Sequence, residues 1–164
     1  MANPPVLDAY ATLAEMATYL AGDGRAAEFL ALADPQKTSY LNRATQAIDS
    51  GKFRGTKYDT GITAGILDQK RAFPRIIDGV ILDYNSSSGL AIVPQDVKSA
   101  CIEEALEIYL AGLGGRKRLQ DEGVQSFALS GKLSETFVVG AGSQYLQSSV
   151  ARKILRKYLG SRLR

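Results

Sequence analysis

The sequence predicts a mainly α-helical protein: a small helical bundle around one long central helix, with a β-hairpin and a C-terminal amphipathic helix projecting for assembly. Three observations carry that expectation. Apolar residues keep a helical period from Pro94 to Leu119, longer than anywhere else; the period changes to two between Val124 and Val139; and helical spacing returns after Ser143 with basic residues beside the apolar ones.

In the central stretch Val97, Cys101, Ala105 and Ile108 follow one another at three or four residue steps, and Ile102, Leu106, Tyr109 and Leu113 widen the same face. Lys98, Glu103, Glu104 and Glu107 fall mostly elsewhere, which predicts a solvated acidic side. Pro94 suits a first turn, where its missing N–H costs nothing, and Asp96 places negative charge where the helix field favours it. Gly112, Gly114 and Gly115 weaken the far end, before the basic Arg116-Lys117-Arg118.

From the N-terminus, Met1 to Leu7 with Pro4 and Pro5 reads as an extended arm. Thr12 and Glu15 have capping-box spacing ahead of an apolar stripe of Leu13, Met16, Ala17 and Leu20, which Gly22 and Gly24 end. A second short helix, about Arg25 to Ala33, offers Ala26, Phe29, Leu30 and Ala33. An Asp34 cap and Pro35 then open a helix through about Ser50, with Tyr40, Leu41, Ala44, Ala47 and Ile48 buried and small enough in places to pack closely on the central helix.

Residues 52–93 read as a long loop with isolated apolar anchors at Phe53, Tyr58, Ile62, Ile66 and Leu67, a stiff point at Phe73-Pro74-Arg75, and a short extended piece within Ile76 to Tyr84. The hairpin spans 124–139. Gln125, Phe127 and Leu129 alternate in its first strand and Leu133, Glu135, Phe137 and Val139 in its second, around Ser130-Gly131-Lys132; two strands alone have little to cover either face. Ser143 is the expected cap of the last helix, Gln144 to about Leu159, with Leu146, Val150, Ile154, Leu155 and Tyr158 on one side and Arg152, Lys153, Arg156 and Lys157 on the other. The chain therefore divides into a helical body, 1–142, carrying the long loop and the hairpin, and a basic C-terminal helix or tail, 143–164.

Apolar content of 45% against 23% charged residues argues for a globular chain, and no apolar run reaches membrane-spanning length. The formal charge is only +3, but residues 1–50 are predominantly acidic whereas the last thirteen carry six basic residues and no acid. Such a tail suits phosphate, an acidic protein surface, or head-to-tail contact between copies. With no His and a single Cys on an apolar face, the usual general base, thiolate clusters and intrachain disulfides are excluded. Glu103 and Glu107 have metal-ligating spacing, yet a solvated face or ion pair explains them more simply. Neither a calcium loop nor a phosphate loop is present. The expectation is a non-enzyme with no cofactor, no metal and no membrane partner. Lys70, Arg71 and Arg75 around Phe73 also leave open a base-stacking, phosphate-binding patch, against a core role for Phe73.

The order of Tyr10-Ala11-Thr12-Leu13-Ala14-Glu15, residues 41–49, Phe53-Arg54-Gly55-Thr56-Lys57, residues 69–75 and Val93-Pro94-Gln95-Asp96-Val97-Lys98 resembles the head–tail adaptor (head completion, connector) proteins of tailed bacteriophages, over roughly residues 9–139. Some of their members are labelled DnaT-like single-stranded DNA-binding proteins. The family usually has Trp where Phe73 stands and an apolar residue where Arg71 stands. The resemblance implies a virion structural protein, assembled in the host cytoplasm into a homo-oligomeric ring, commonly of twelve. That ring would join the portal protein to a downstream tail or stopper protein and surround passing double-stranded DNA without sequence recognition. Candidate ring-interface residues are Phe127, Leu129, Leu133 and Phe137. Candidate portal-interface residues are Leu146, Val150, Lys153, Ile154, Arg156 and Tyr158. The alternative is a single-stranded DNA-binding module using the basic C-terminal helix.

Overall fold

A computed structural model of the chain describes residues 9–58, 71–83, 92–113, 126–129, 133–136 and 146–160. In chain order these form α1 (Leu13–Tyr19), a 3-10 turn (Gly24–Ala26) continuing into α2 (Ala27–Leu30), and α3 (Asp34–Asp49). Three short strands follow, β1 (Thr56–Lys57), β2 (Arg75–Ile77) and β3 (Val80–Ile81), then α4 (Gln95–Leu113). The hairpin strands β4 (Ser126–Leu129) and β5 (Leu133–Thr136) precede α5 (Ser149–Leu155), which ends in a 3-10 turn (Arg156–Tyr158). The protein is mainly helical, as its periodicity predicts.

The first helix starts where its sequence says it should. Thr12 Oγ1 accepts from Glu15 N at 3.2 Å and Glu15 Oε2 accepts from Thr12 N at 2.8 Å, a reciprocal capping box. Met16 and Leu20 are buried, but Ala17 is exposed, since a seven-residue helix turns only one narrow face inward. In the next segment Ala26 and Phe29 are buried, while Ala33 is exposed. Asp34 is the first residue of α3 and not its cap. Ala33 holds the cap position, and its N–H is taken up by Gln36 Oε1 at 3.3 Å.

Both flanks of α4 are covered, by α3 on one side and α5 on the other. Cys101 Sγ lies 3.4 Å from Thr45 Oγ1 and the Tyr109 ring packs on Tyr40 and Phe29, so α3 runs antiparallel to α4. Val97, Ala100, Cys101, Ile102, Ala105 and Leu106 bury together with Leu41, Ala44 and Ile48 of α3. Each fully buried Leu or Ile contributes about 1.5–3 kcal/mol relative to exposure, and this contact is the main core. Tyr40 and Ala47 are only half-buried. Thr45, an unexpected polar member of that core, is satisfied by accepting from Tyr10 N at 3.1 Å.

The stretch read as a loop contains a three-stranded antiparallel sheet in the order β1-β2-β3. Ile76 pairs with Ile81 and Ile77 with Val80, leaving Asp78-Gly79 as a two-residue turn with φ of 52° and 79°. Asp-Gly between apolar pairs is a strong hairpin signal, because both central residues must adopt positive φ. The described parts of the stretch 52–93 are thus more regular than its glycine content suggests.

Candidate functional site

Two features were expected to project for assembly, and the structure treats them differently. The hairpin forms: β4 and β5 pair antiparallel with Phe127 opposite Glu135 and Leu129 opposite Leu133, as a two-stranded sheet separate from the three-stranded one. Phe127, Leu129 and Leu133 therefore lie on this ladder. Phe137 lies outside the described residues, as do Arg116-Lys117-Arg118, the N-terminal arm and Lys70.

The C-terminal segment does not project. Its helix begins at Ser149 behind a Ser148 cap, whose Oγ accepts from Ala151 N at 3.1 Å, five residues later than the expected Ser143. It lies against α4, with Leu146, Ala151 and Leu155 fully buried and Tyr158 nearly so. Of the candidate portal contacts, Leu146 and Tyr158 are thus turned into the chain's own core. Val150, Lys153 and Arg156 are exposed and Ile154 is half-buried. The reason is area: a segment with four apolar anchors, Leu146, Ala151, Leu155 and Tyr158, gains more by covering the flank of α4 than by remaining in water.

Glu104 holds the start of this segment. The expectation of a solvated carboxylate is wrong here: Glu104 is 0% exposed, accepting from Gln147 N at 2.8 Å and Ser148 N at 2.7 Å. Those donors precede α5 and would otherwise be orphaned at its end. Glu103 is also buried, accepting from Tyr19 OH at 3.2 Å with Arg25 3.7 Å away. At the other end of the segment, Lys157 and Tyr158 both reach Asp96, near the start of α4, so α5 is antiparallel to α4. Arg54 N donates to Tyr158 O at 2.8 Å and Gly160 N to Lys52 O at 3.1 Å, which stitches the segment to residues 52–54.

Phe73 is a core residue, 2% exposed, with its ring against Tyr10, Phe53 and Tyr158. It has no face left for a base. Arg71 forms an ion pair with Asp49 at 3.2 Å. Asp49 also accepts from Ala72 N at 2.9 Å and from Tyr10 OH, and Phe73 N donates to Tyr10 Oη at 3.1 Å. Arg75 is buried and donates to four backbone carbonyls, so of the two roles left open for this cluster, a phosphate patch and a core anchor at Phe73, the described residues Arg71, Phe73 and Arg75 take the internal one.

Burial raises the pKa of the Tyr10 hydroxyl and of Tyr158, pushes the Cys101 thiol up to about 11, and lowers that of Arg75. The hydrogen bond to Asp96 raises that of Lys157. Among the described residues no group of three His, Cys, Asp or Glu is placed to hold a metal, and no helix is long and apolar enough to cross a membrane. What the outer surface of the C-terminal segment offers is positive charge and hydrogen-bond donors, from Lys153, Arg156 and Lys157, beside the exposed Arg54. Neither a curated protein nor a solved structure gives a significant match. The family model described as "Putative DnaT-like ssDNA binding protein" matches residues 2–164, nearly the whole chain, and the chain belongs to that family.

Proposed function

We propose that the protein is a structural, non-enzymatic adaptor of a tailed-phage particle: a homo-oligomeric ring that joins the portal to a tail or stopper component around the DNA passage. The observation that carries this reading is the β4–β5 hairpin, a sheet that among the described residues has two strands, each the other's partner. Such a hairpin is marginal in water and gains stability from a second surface, which a neighbouring subunit supplies. The ordered resemblance across residues 9–139 supports the same reading. The C-terminal segment, folded onto its own protomer, leaves Val150, Lys153, Ile154 and Arg156 as the residues to meet the portal. The test is mass measurement and electron microscopy of the purified chain, alone and with the portal. Rings, or a defined complex with the portal, are expected; a single protomer under both conditions overturns the proposal.

The second reading is single-stranded DNA binding. It is favoured by the description of the family and by the outward basic side of the C-terminal segment. It predicts oligonucleotide binding that weakens steeply with salt and collapses when Lys153, Arg156 and Lys157 are neutralised together.

A further inference from the structure

The bend at Phe53-Arg54-Gly55 is the most fully built feature that an adaptor leaves unused. It is held from the inside by Arg75, whose guanidinium donates to the carbonyls of Gly55 at 2.6 Å, Arg54 at 2.8 Å, Ala72 at 3.2 Å and Phe53 at 3.3 Å. Gly55 has φ of 71° and sits so close to β2 that a Cβ there would lie 2.0 Å from Ile76 O. With its carbonyls committed inward and its backbone pressed on the sheet, the bend is a rigid platform for the one side chain it turns outward, Arg54.

A second arginine is fixed beside it. The hydrogen bonds of Arg54 N to Tyr158 O and of Gly160 N to Lys52 O join the bend to the turn that carries Arg156. Among the described residues, Arg54, Arg156, Leu159 and Gly160 line an open cleft of about 520 Å³. Among the described residues their charges are poorly compensated. Arg54 meets Asp78 at 3.0 Å, but that carboxylate is 78% exposed, and an exposed pair of this kind exchanges readily. Arg156 is exposed and makes no ion pair among the described residues.

We propose that this cleft binds the phosphodiester backbone of nucleic acid, with Arg54 and Arg156 donating to the non-bridging oxygens. Guanidinium groups present paired N–H donors that match phosphate geometry, and two mounted on one hydrogen-bonded frame lose less freedom on binding than two free surface side chains. Half-buried Leu159 gives the sugar an apolar contact. The choice of nucleic acid as the anion rests on the second reading of function; the cleft itself rests on its geometry and holds whether or not a ring forms.

The test is fluorescence anisotropy with the full chain, using a labelled oligothymidine and a duplex of equal length at 50 and 200 mM salt, with inorganic phosphate as competitor. Arg54→Gln and Arg156→Gln are each expected to weaken binding about tenfold at low salt. The double variant should lower the log–log salt slope for the single strand by about 1.4, the loss of two phosphate contacts. Arg43→Gln, exposed on α3, should change neither. Thermal melts of all variants should match the native chain, because both arginine side chains are exposed. Native-like binding by the double variant overturns the cleft while leaving DNA binding intact. Arginine-dependent capture of phosphate with no binding of either oligonucleotide overturns nucleic acid as the ligand. A preference between strand and duplex identifies which form the cleft takes.

Discussion

Replacing Glu104 by Ala isolates what anchors the C-terminal segment. The substitution strips the acceptor from two backbone donors, Gln147 N at 2.8 Å and Ser148 N at 2.7 Å, around a side chain that is fully buried. Each buried donor left without a partner costs about 1–3 kcal/mol, so two give a loss of ~4 kcal/mol. In a domain of this size 1 kcal/mol moves the melting midpoint by about 2–4 °C, which predicts a drop of roughly 8–16 °C. Glu104→Gln retains one acceptor oxygen and turns an amide N–H₂ toward the other donor, so about half the loss is expected. Urea unfolding followed by circular dichroism measures the totals. Amide exchange should show the first loss of protection at residues 147–155, because the segment is tied to the body through that carboxylate. An alanine variant within ~1 kcal/mol of the native chain, with unchanged protection there, would refute the reasoning.

Two further outcomes follow from the same geometry. Gly55→Ala combines positive φ with a Cβ 2.0 Å from Ile76 O, so it should lose at least ~3 kcal/mol in urea unfolding and distort the Arg54 platform. Cys101, its thiol raised to about 11 by burial, keeps its proton between about pH 9 and 11 while the unfolded chain has lost it; stability must therefore fall as pH rises through that window. Comparing the native chain with Cys101→Ala at pH 8 and 10.5, the native chain should lose ~2 kcal/mol more, whereas Tyr10, also raised by burial, acts equally in both.

Where packing obeys a local rule, the residues announce it. The capping box at Thr12 and Glu15, the Pro35 start of α3 and the broad apolar face of α4 each follow from neighbours within one or two turns, and all three appear in the structure. Asp78-Gly79 is equally local: two residues able to adopt positive φ between the pairs Ile76–Ile81 and Ile77–Val80, within the stretch expected to hold only a short extended piece. The candidate site was less legible. Leu146 and Tyr158 have the spacing of an amphipathic helix whether that helix projects or folds back, since periodicity records a face and not its partner.

The sequence by itself determined the central helix, the capping box of α1, the strands of the hairpin and the place of Cys101, because each depends on spacing and on backbone chemistry between near neighbours; the caps of α3 and α5 fell elsewhere than expected. Only the tertiary structure decided the fate of the charges. Glu104 became a buried acceptor and Arg75 a buried donor, while Arg54 and Arg156 were left facing one cleft. A charged residue reads the same in all these settings; which of them meets a backbone N–H, a carbonyl or water depends on segments twenty or more residues away closing around it.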